Sequence, residues 1–193
     1  MNAALASTFI VLCVSAVNAQ VCAPRDRIAK ALQDGPDAGK LIQDTTKATF
    51  FLLYHSEDDK FHSKYPCLRV ARAPFTTING ASMYVYGYMY KNKLWWNYTS
   101  PELHKTDGAY QHDNGFSVDI VDRGKTLRQV FQVIYTDYKH CILFWTSSLG
   151  YQVWVESVHL KTRRKAPSTC SFLYDLLAPS KRHVVYMWKK CDL

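Results

Sequence analysis

Between Lys47 and Glu156 the chain carries run after run of alternating apolar and polar residues, with no helical period separating them. A period of two puts successive side chains on opposite faces of a strand. Eight runs stand out: KATFFLLYH, CLRVARA from Cys67, SMYVYGYMYK from Ser82, LWWNYTS from Leu94, GFSVDIVD, RQVFQVIYTDY, CILFWTSS and YQVWVES. Turn chemistry parts neighbouring runs, as at Asp122-Arg123-Gly124-Lys125 and from Ser147 to Gly150. Eight antiparallel strands in a row predict an up-and-down barrel, an all-β architecture that removes its own sheet edges and leaves room inside for one small ligand.

Helical signals lie only at the flanks. RDRIAKALQD, after Pro24, predicts a short helix stopped at Gly35-Pro36, and DAGKLIQ predicts one further turn. SFLYDLLA from Ser171 predicts a C-terminal helix before a last extended piece, HVVYMWKKC. Met1 to Ala19 has an apolar core from Leu5 to Val17 and small residues at Val17 and Ala19. That pattern predicts a cleavable signal peptide over 1–19, followed by one domain over 20–193. Its apolar run falls short of the roughly 20 residues that span a bilayer, and no later segment reaches that length. The expectation is a secreted, extracellular monomer without a membrane span.

Secretion makes disulfides the natural reading of most cysteines. Cys13 lies in the signal segment, which leaves Cys22, Cys67, Cys141, Cys170 and Cys191, an odd number. No CxxC pair suggests a zinc ribbon. Seven scattered histidines contain no HExxH, no GxSxG elbow surrounds a serine, and no glycine-rich phosphate loop follows a strand. These absences lead us to expect no enzyme, no metal site, no cofactor and no nucleic-acid partner. Lysine and arginine outnumber aspartate and glutamate 24 to 16, for a formal charge of +8. The run Lys161, Arg163, Arg164 and Lys165 reads either as a solvated loop or as a site for sulfated glycan or an acidic host protein.

Taken in order, DAGKLIQ, YPCLRV, VIYTDYKHC, YQVWV, CSFLYD and the closing Cys191 resemble the tick salivary lipocalins, often called the histamine-binding family. The resemblance covers nearly the whole of residues 20–193. It implies an eight-stranded antiparallel lipocalin barrel with a C-terminal helix, paired as Cys67 to Cys191 and Cys141 to Cys170, with Cys22 left over. It also implies a small-molecule ligand taken from a host during feeding. Some relatives act instead on host immune cells while carrying a sterol, so a host immune cell or protein is a further partner to consider.

Amine-binding members of that family hold a cation with buried carboxylates, because a desolvated charge needs an opposite charge to meet it. Counting back from Cys141, the family's strand acid falls on Gln132; the acid after that cysteine falls on Ile142; and the acid of the YELW motif falls on Gln152. Asp37 remains, but Gly39 replaces the aromatic of the family's DAW motif. The expected ligand is therefore a sterol, fatty acid or eicosanoid, with histamine or serotonin as one alternative and, as another, a barrel that serves as scaffold for an outer surface that binds a host protein.

If those positions face inward, parity brings Val130, Ile134, Phe144, Trp154 and, on the neighbouring strand, Phe116, Val118 and Ile120 with them. The sequon Asn97-Tyr98-Thr99 needs a solvent-facing Asn97 for glycosylation, which would turn Trp96 and Tyr98 inward. The expected ligand-binding set is Asp37, Trp96, Tyr98, Ile120, Gln132, Ile134, Ile142, Phe144, Gln152 and Trp154. Tyr84, Tyr86, Tyr88 and Tyr90 share one face, which either lines the barrel or packs outward against a helix.

Overall fold

The structure, a computed structural model, describes residues 35–44, 48–57, 60–72, 83–122, 124–178 and 182–191. The signal segment 1–19, the helix expected in RDRIAKALQD and Cys22 lie outside the described residues. Ten strands form one antiparallel sheet: β1 (Thr49–His55), β2 (Arg69–Arg72), β3 (Tyr84–Tyr90), β4 (Lys93–Thr99), β5 (Glu102–His104), β6 (Gly115–Asp122), β7 (Lys125–Thr136), β8 (Cys141–Thr146), β9 (Gly150–Glu156) and β10 (His183–Val184). The order is β4-β3-β2-β1-β9-β8-β7-β6-β5, with β10 added beside β1. Nine strands follow this path where eight were expected, because three residues after Pro101 pair with β6 as β5.

Among the described residues four helices accompany the sheet: α1 (Ala38–Asp44), α2 (Phe61–Lys64), α3 (Ser157–Arg163) and α4 (Ser168–Leu177). The run YQVWVES does not end in a loop. Its Glu156 caps α3, accepting the Val158 and His159 N–H groups, and so turns strand directly into helix. At the other end of β9, Gly150 sits at φ +63°, a turn conformation that favours glycine, and a Cβ there would strike Ser56.

Strands β1, β8 and β9 are apolar on both faces, which explains the unbroken FFLLY and CILFW runs. One face supplies Phe50, Leu52, Ile142, Phe144 and Trp154 to the barrel interior. The other supplies Phe51, Leu53, Leu143, Val153 and Val155 to a second core beneath Leu173 and Tyr174 of α4, Leu160 of α3 and Tyr186. Tyr54 meets Tyr174 edge-to-face at 4.7 Å and hydrogen-bonds Ser171 at 3.1 Å. Burial raises the pKa of both phenols above the ordinary tyrosine value. Two disulfides pin this layer, Cys141–Cys170 between β8 and α4 and Cys67–Cys191 between β2's approach and the C-terminal tail. Each closes a long loop and contributes about 3–4 kcal/mol.

Two bulges break the alternation, one in β1 between Leu52 and Tyr54 and one in β7 between Val133 and Tyr135. Before the β7 bulge the inward positions are Leu127, Gln129 and Phe131. The extra residue is Ile134, which joins the core under α4. The sheet ends meet without a ladder between β4 and β5. A tyrosine closes the seam instead: the Tyr86 hydroxyl donates to the Val121 carbonyl at 3.0 Å and accepts from the Val121 N–H at 2.7 Å. The Thr99 hydroxyl donates to the Asp119 carbonyl nearby at 3.0 Å.

Tyr86→Phe leaves both Val121 groups without this partner, so it should cost about 1–3 kcal/mol, seen as a lower urea midpoint at unchanged slope. A second expectation concerns acid. Desolvation, then the adjacent His140, lowers the His159 pKa below the usual imidazole value. As pH falls through about 6.5 the unfolded chain takes up a proton that folded His159 refuses, so this component of stability is lost on acidification. His159→Gln should flatten the stability profile between about pH 7 and 5.

A closed-bottomed aromatic cavity

The barrel interior is a cavity of about 350 Å³. Helix α1 lies across one end. The Ala38 N–H donates to the Asp113 carbonyl at 2.7 Å, the Asp37 N–H donates to the Tyr138 hydroxyl at 2.9 Å, and Leu41 and Ile42 face the cavity floor. Tyr84 reaches across to donate its hydroxyl to the Ile42 carbonyl. The opposite end is the mouth, where Phe61, Lys64 and Tyr65 of the α2 region face Ser148, Leu149 and the half-exposed Leu127.

Two aromatic walls stand across the space. Tyr65, Tyr88 and Trp95 form one, with ring centroids 5.0 Å and 4.9 Å apart and Tyr86 beside Trp95. Phe116, Phe131 and Phe144 form the other, all within 5.5 Å of one another, with Trp154 next to Phe144. Aromatic pairs in such edge-to-face and tilted arrangements each add about 0.5–1.5 kcal/mol beyond the area they bury.

A single polar strip crosses this surface. The Trp154 indole N–H donates to Gln152 Oε1 at 3.1 Å, and Gln152 Nε2 donates to Thr146 Oγ1 at 2.9 Å. The Thr146 and Ser148 hydroxyls are 3.3 Å apart, and Ser148 donates to Gln129 Oε1 at 2.8 Å. The chain of bonds leads from fully buried Gln152 to the mouth, and every member is neutral. Among the described residues no carboxylate and no histidine lines the cavity, and Lys64 at the rim is its one charged group.

Of the ligand-binding set expected from sequence, Ile120, Ile142, Phe144, Gln152 and Trp154 line this cavity together. The others do not. Asp37 caps α1 through the Lys40 N–H at 2.9 Å and faces His112 at 3.8 Å, outside the barrel. The β7 bulge reverses the parity counted back from Cys141. Gln132 therefore turns from the interior toward Thr106, Val130 is half exposed, and Ile134 is buried under α4. On β4 the assignment is also reversed: Trp95 and Thr99 face in, whereas Trp96 is 51% exposed and packs on Tyr98 outside. Asn97 shares the parity of Trp95 and Thr99, not the solvent-facing parity expected for a glycan acceptor. Tyr84, Tyr86 and Tyr88 line the cavity, and Tyr90 is exposed beyond it. Sequence reasoning missed α2, whose four residues give no periodic signal, and Gln129, which the bulge hid.

The family model for the tick histamine binding protein matches residues 27–192. The chain belongs to the tick histamine binding protein family. No curated protein sequence matches it. Among solved structures, the tick histamine binding fold seen here is similar to that in "Crystal Structure of AM182 Serotonin Complex", with a TM-score of 0.63 at 14% identity, covering 82% of this chain and 94% of that one. It is also similar to insecticyanin from the tobacco hornworm Manduca sexta, with a TM-score of 0.56 at 11% identity over 78% of this chain and 82% of that one. These likenesses establish the lipocalin-type barrel of the family.

Gln152→Glu tests the neutrality of the polar strip. A carboxylate buried beside Trp154 without a cation is costly, so the variant should lose about 1–3 kcal/mol at pH 7. Desolvation raises such a carboxyl's pKa, so the deficit should shrink toward pH 5, as chemical denaturation at the two pH values would record.

Proposed function

We propose that this chain is a secreted carrier that sequesters a hydrophobic, neutral or acidic small molecule, such as a sterol, fatty acid or eicosanoid, and so dampens host inflammation or immunity. The supporting observation is the wall chemistry: about 350 Å³ bounded by aromatic and aliphatic side chains, with hydroxyls, amides and the Trp154 indole N–H as the interior polar groups among the described residues. Apolar surface of this kind rewards apolar ligand area, and a few placed polar groups set orientation. The neutral strip from Gln152 to Gln129 would receive a hydroxyl or carbonyl, and Lys64 at the rim would favour an acid over an amine. The N-terminal signal pattern and the disulfides are consistent with release from the cell.

A second reading, capture of a biogenic amine, is favoured by the similarity to the AM182 serotonin complex. Trp95, Tyr88 and Trp154 could face a cation with their rings. The deciding measurement is native mass spectrometry with solvent extraction of the secreted protein, beside calorimetry with serotonin and histamine. The carrier reading expects a co-purified lipid and no amine heat at micromolar concentrations. An empty cavity together with micromolar amine binding would overturn it.

A further inference from the structure

The cations of this protein are distributed unevenly with respect to partners. Arg128 pairs with Glu102 and Asp119, Arg182 with Asp175, and Arg69 stacks over Phe51. Arg163 and Arg164, by contrast, have no ion pair, ring contact or side-chain hydrogen bond among the described residues, and both are exposed. Lys161 and Lys165 flank them in the same condition. All four fall within five residues at the end of α3, where Arg164 takes φ 52° and reverses the chain. Arg163 also acts electrostatically on His159, whose ring lies 5.0 Å from that of His140. Lys139, in the β7–β8 turn, is a further exposed cation.

The acids nearby accept backbone N–H groups. Asp137 Oδ1 accepts the N–H groups of Lys139, His140 and Cys141, at 3.0, 2.7 and 2.9 Å. Glu156 accepts those of Val158 and His159, and its side chain is only 12% exposed. These carboxylates hold backbone turns in place, and among the described residues neither forms an ion pair with the four cations. Arginine forks bind tetrahedral or planar anions through paired N–H groups, and a compact row of them suits a linear polyanion better than a single small ion.

We propose that the α3 end, Lys161, Arg163, Arg164 and Lys165, is a docking site for a sulfated polysaccharide chain. It lies outside the barrel, so occupancy of the cavity and of this site are separate properties. Tethering to such a chain would concentrate the carrier near cell surfaces and matrix without using the ligand cavity.

The test uses the full secreted protein on immobilised heparin and in calorimetry with a size-defined heparin oligosaccharide. Replacing all four residues with alanine should weaken binding about tenfold or more and move elution to lower salt. A second variant removes the same charge elsewhere, Lys93, Lys105, Lys125 and Lys189 to alanine, and should elute close to the parent. The pair R163K/R164K should fall between parent and quadruple variant, because lysine keeps the charge and loses the fork. Equal losses in the two quadruple variants, or undiminished binding of desulfated heparin, would overturn the proposal. So would vesicles containing phosphatidylserine binding the patch while heparin does not. Matching thermal melts for all variants would show that each remains folded.

Discussion

A hollow protein must find its cohesion outside the hollow. Side chains around an open cavity lack neighbours on one side and forfeit the dispersion contacts a filled core would supply. Here the deficit is offset by the second core beneath α4, where Phe51, Leu143, Val153 and Val155 meet Leu173 and Tyr174, and by the Cys141–Cys170 link beside them. Because β1, β8 and β9 are apolar on both faces, one set of strands serves both layers. The cavity wall is packed from behind on the side that carries Gln152 and Trp154, and the far wall rests on ring packing and on the Tyr86 hydrogen bonds.

That division gives the interior its character. Phe144 and Trp154 stand on strands braced from behind, while Tyr88 and Trp95 stand on β3 and β4, which end at the seam. Tyr86 belongs to both structures, as a lining ring and as the hydrogen-bonding partner of Val121. Contents of the cavity and closure of the sheet thus share a residue. The polar strip works differently: its donors and acceptors satisfy one another, so a ligand can borrow a hydrogen bond without leaving a buried charge exposed.

Much of this architecture was legible in the residues. Period-two patterning located β1 to β4 and β6 to β9, and Phe116, Val118 and Ile120 follow their parity into the cavity. What escaped has a common cause. Alternation carries a face assignment only until the chain inserts a residue, and the bulge at Ile134 shifts every position before it in β7. The sequon misled for a related reason, since a modification motif is blind to which edge of the pleat it occupies. Helix α3, SVHLKTR, is only seven residues long and opens on Ser157, Val158 and His159, which have modest helical preference, so its start depends on the Glu156 cap that three-dimensional structure reveals. Helix α2 is a single turn whose contribution is positional, setting Lys64 at the rim.

The neutral lining of the cavity bears on the conditions under which cargo can be held. Histidines and carboxylates are the side chains that change charge between about pH 4 and 8. With neither facing the interior among the described residues, none of those residues adds a proton to the binding of an uncharged molecule. Through the described residues, acid would reach an uncharged ligand in this cavity by loosening the fold around it.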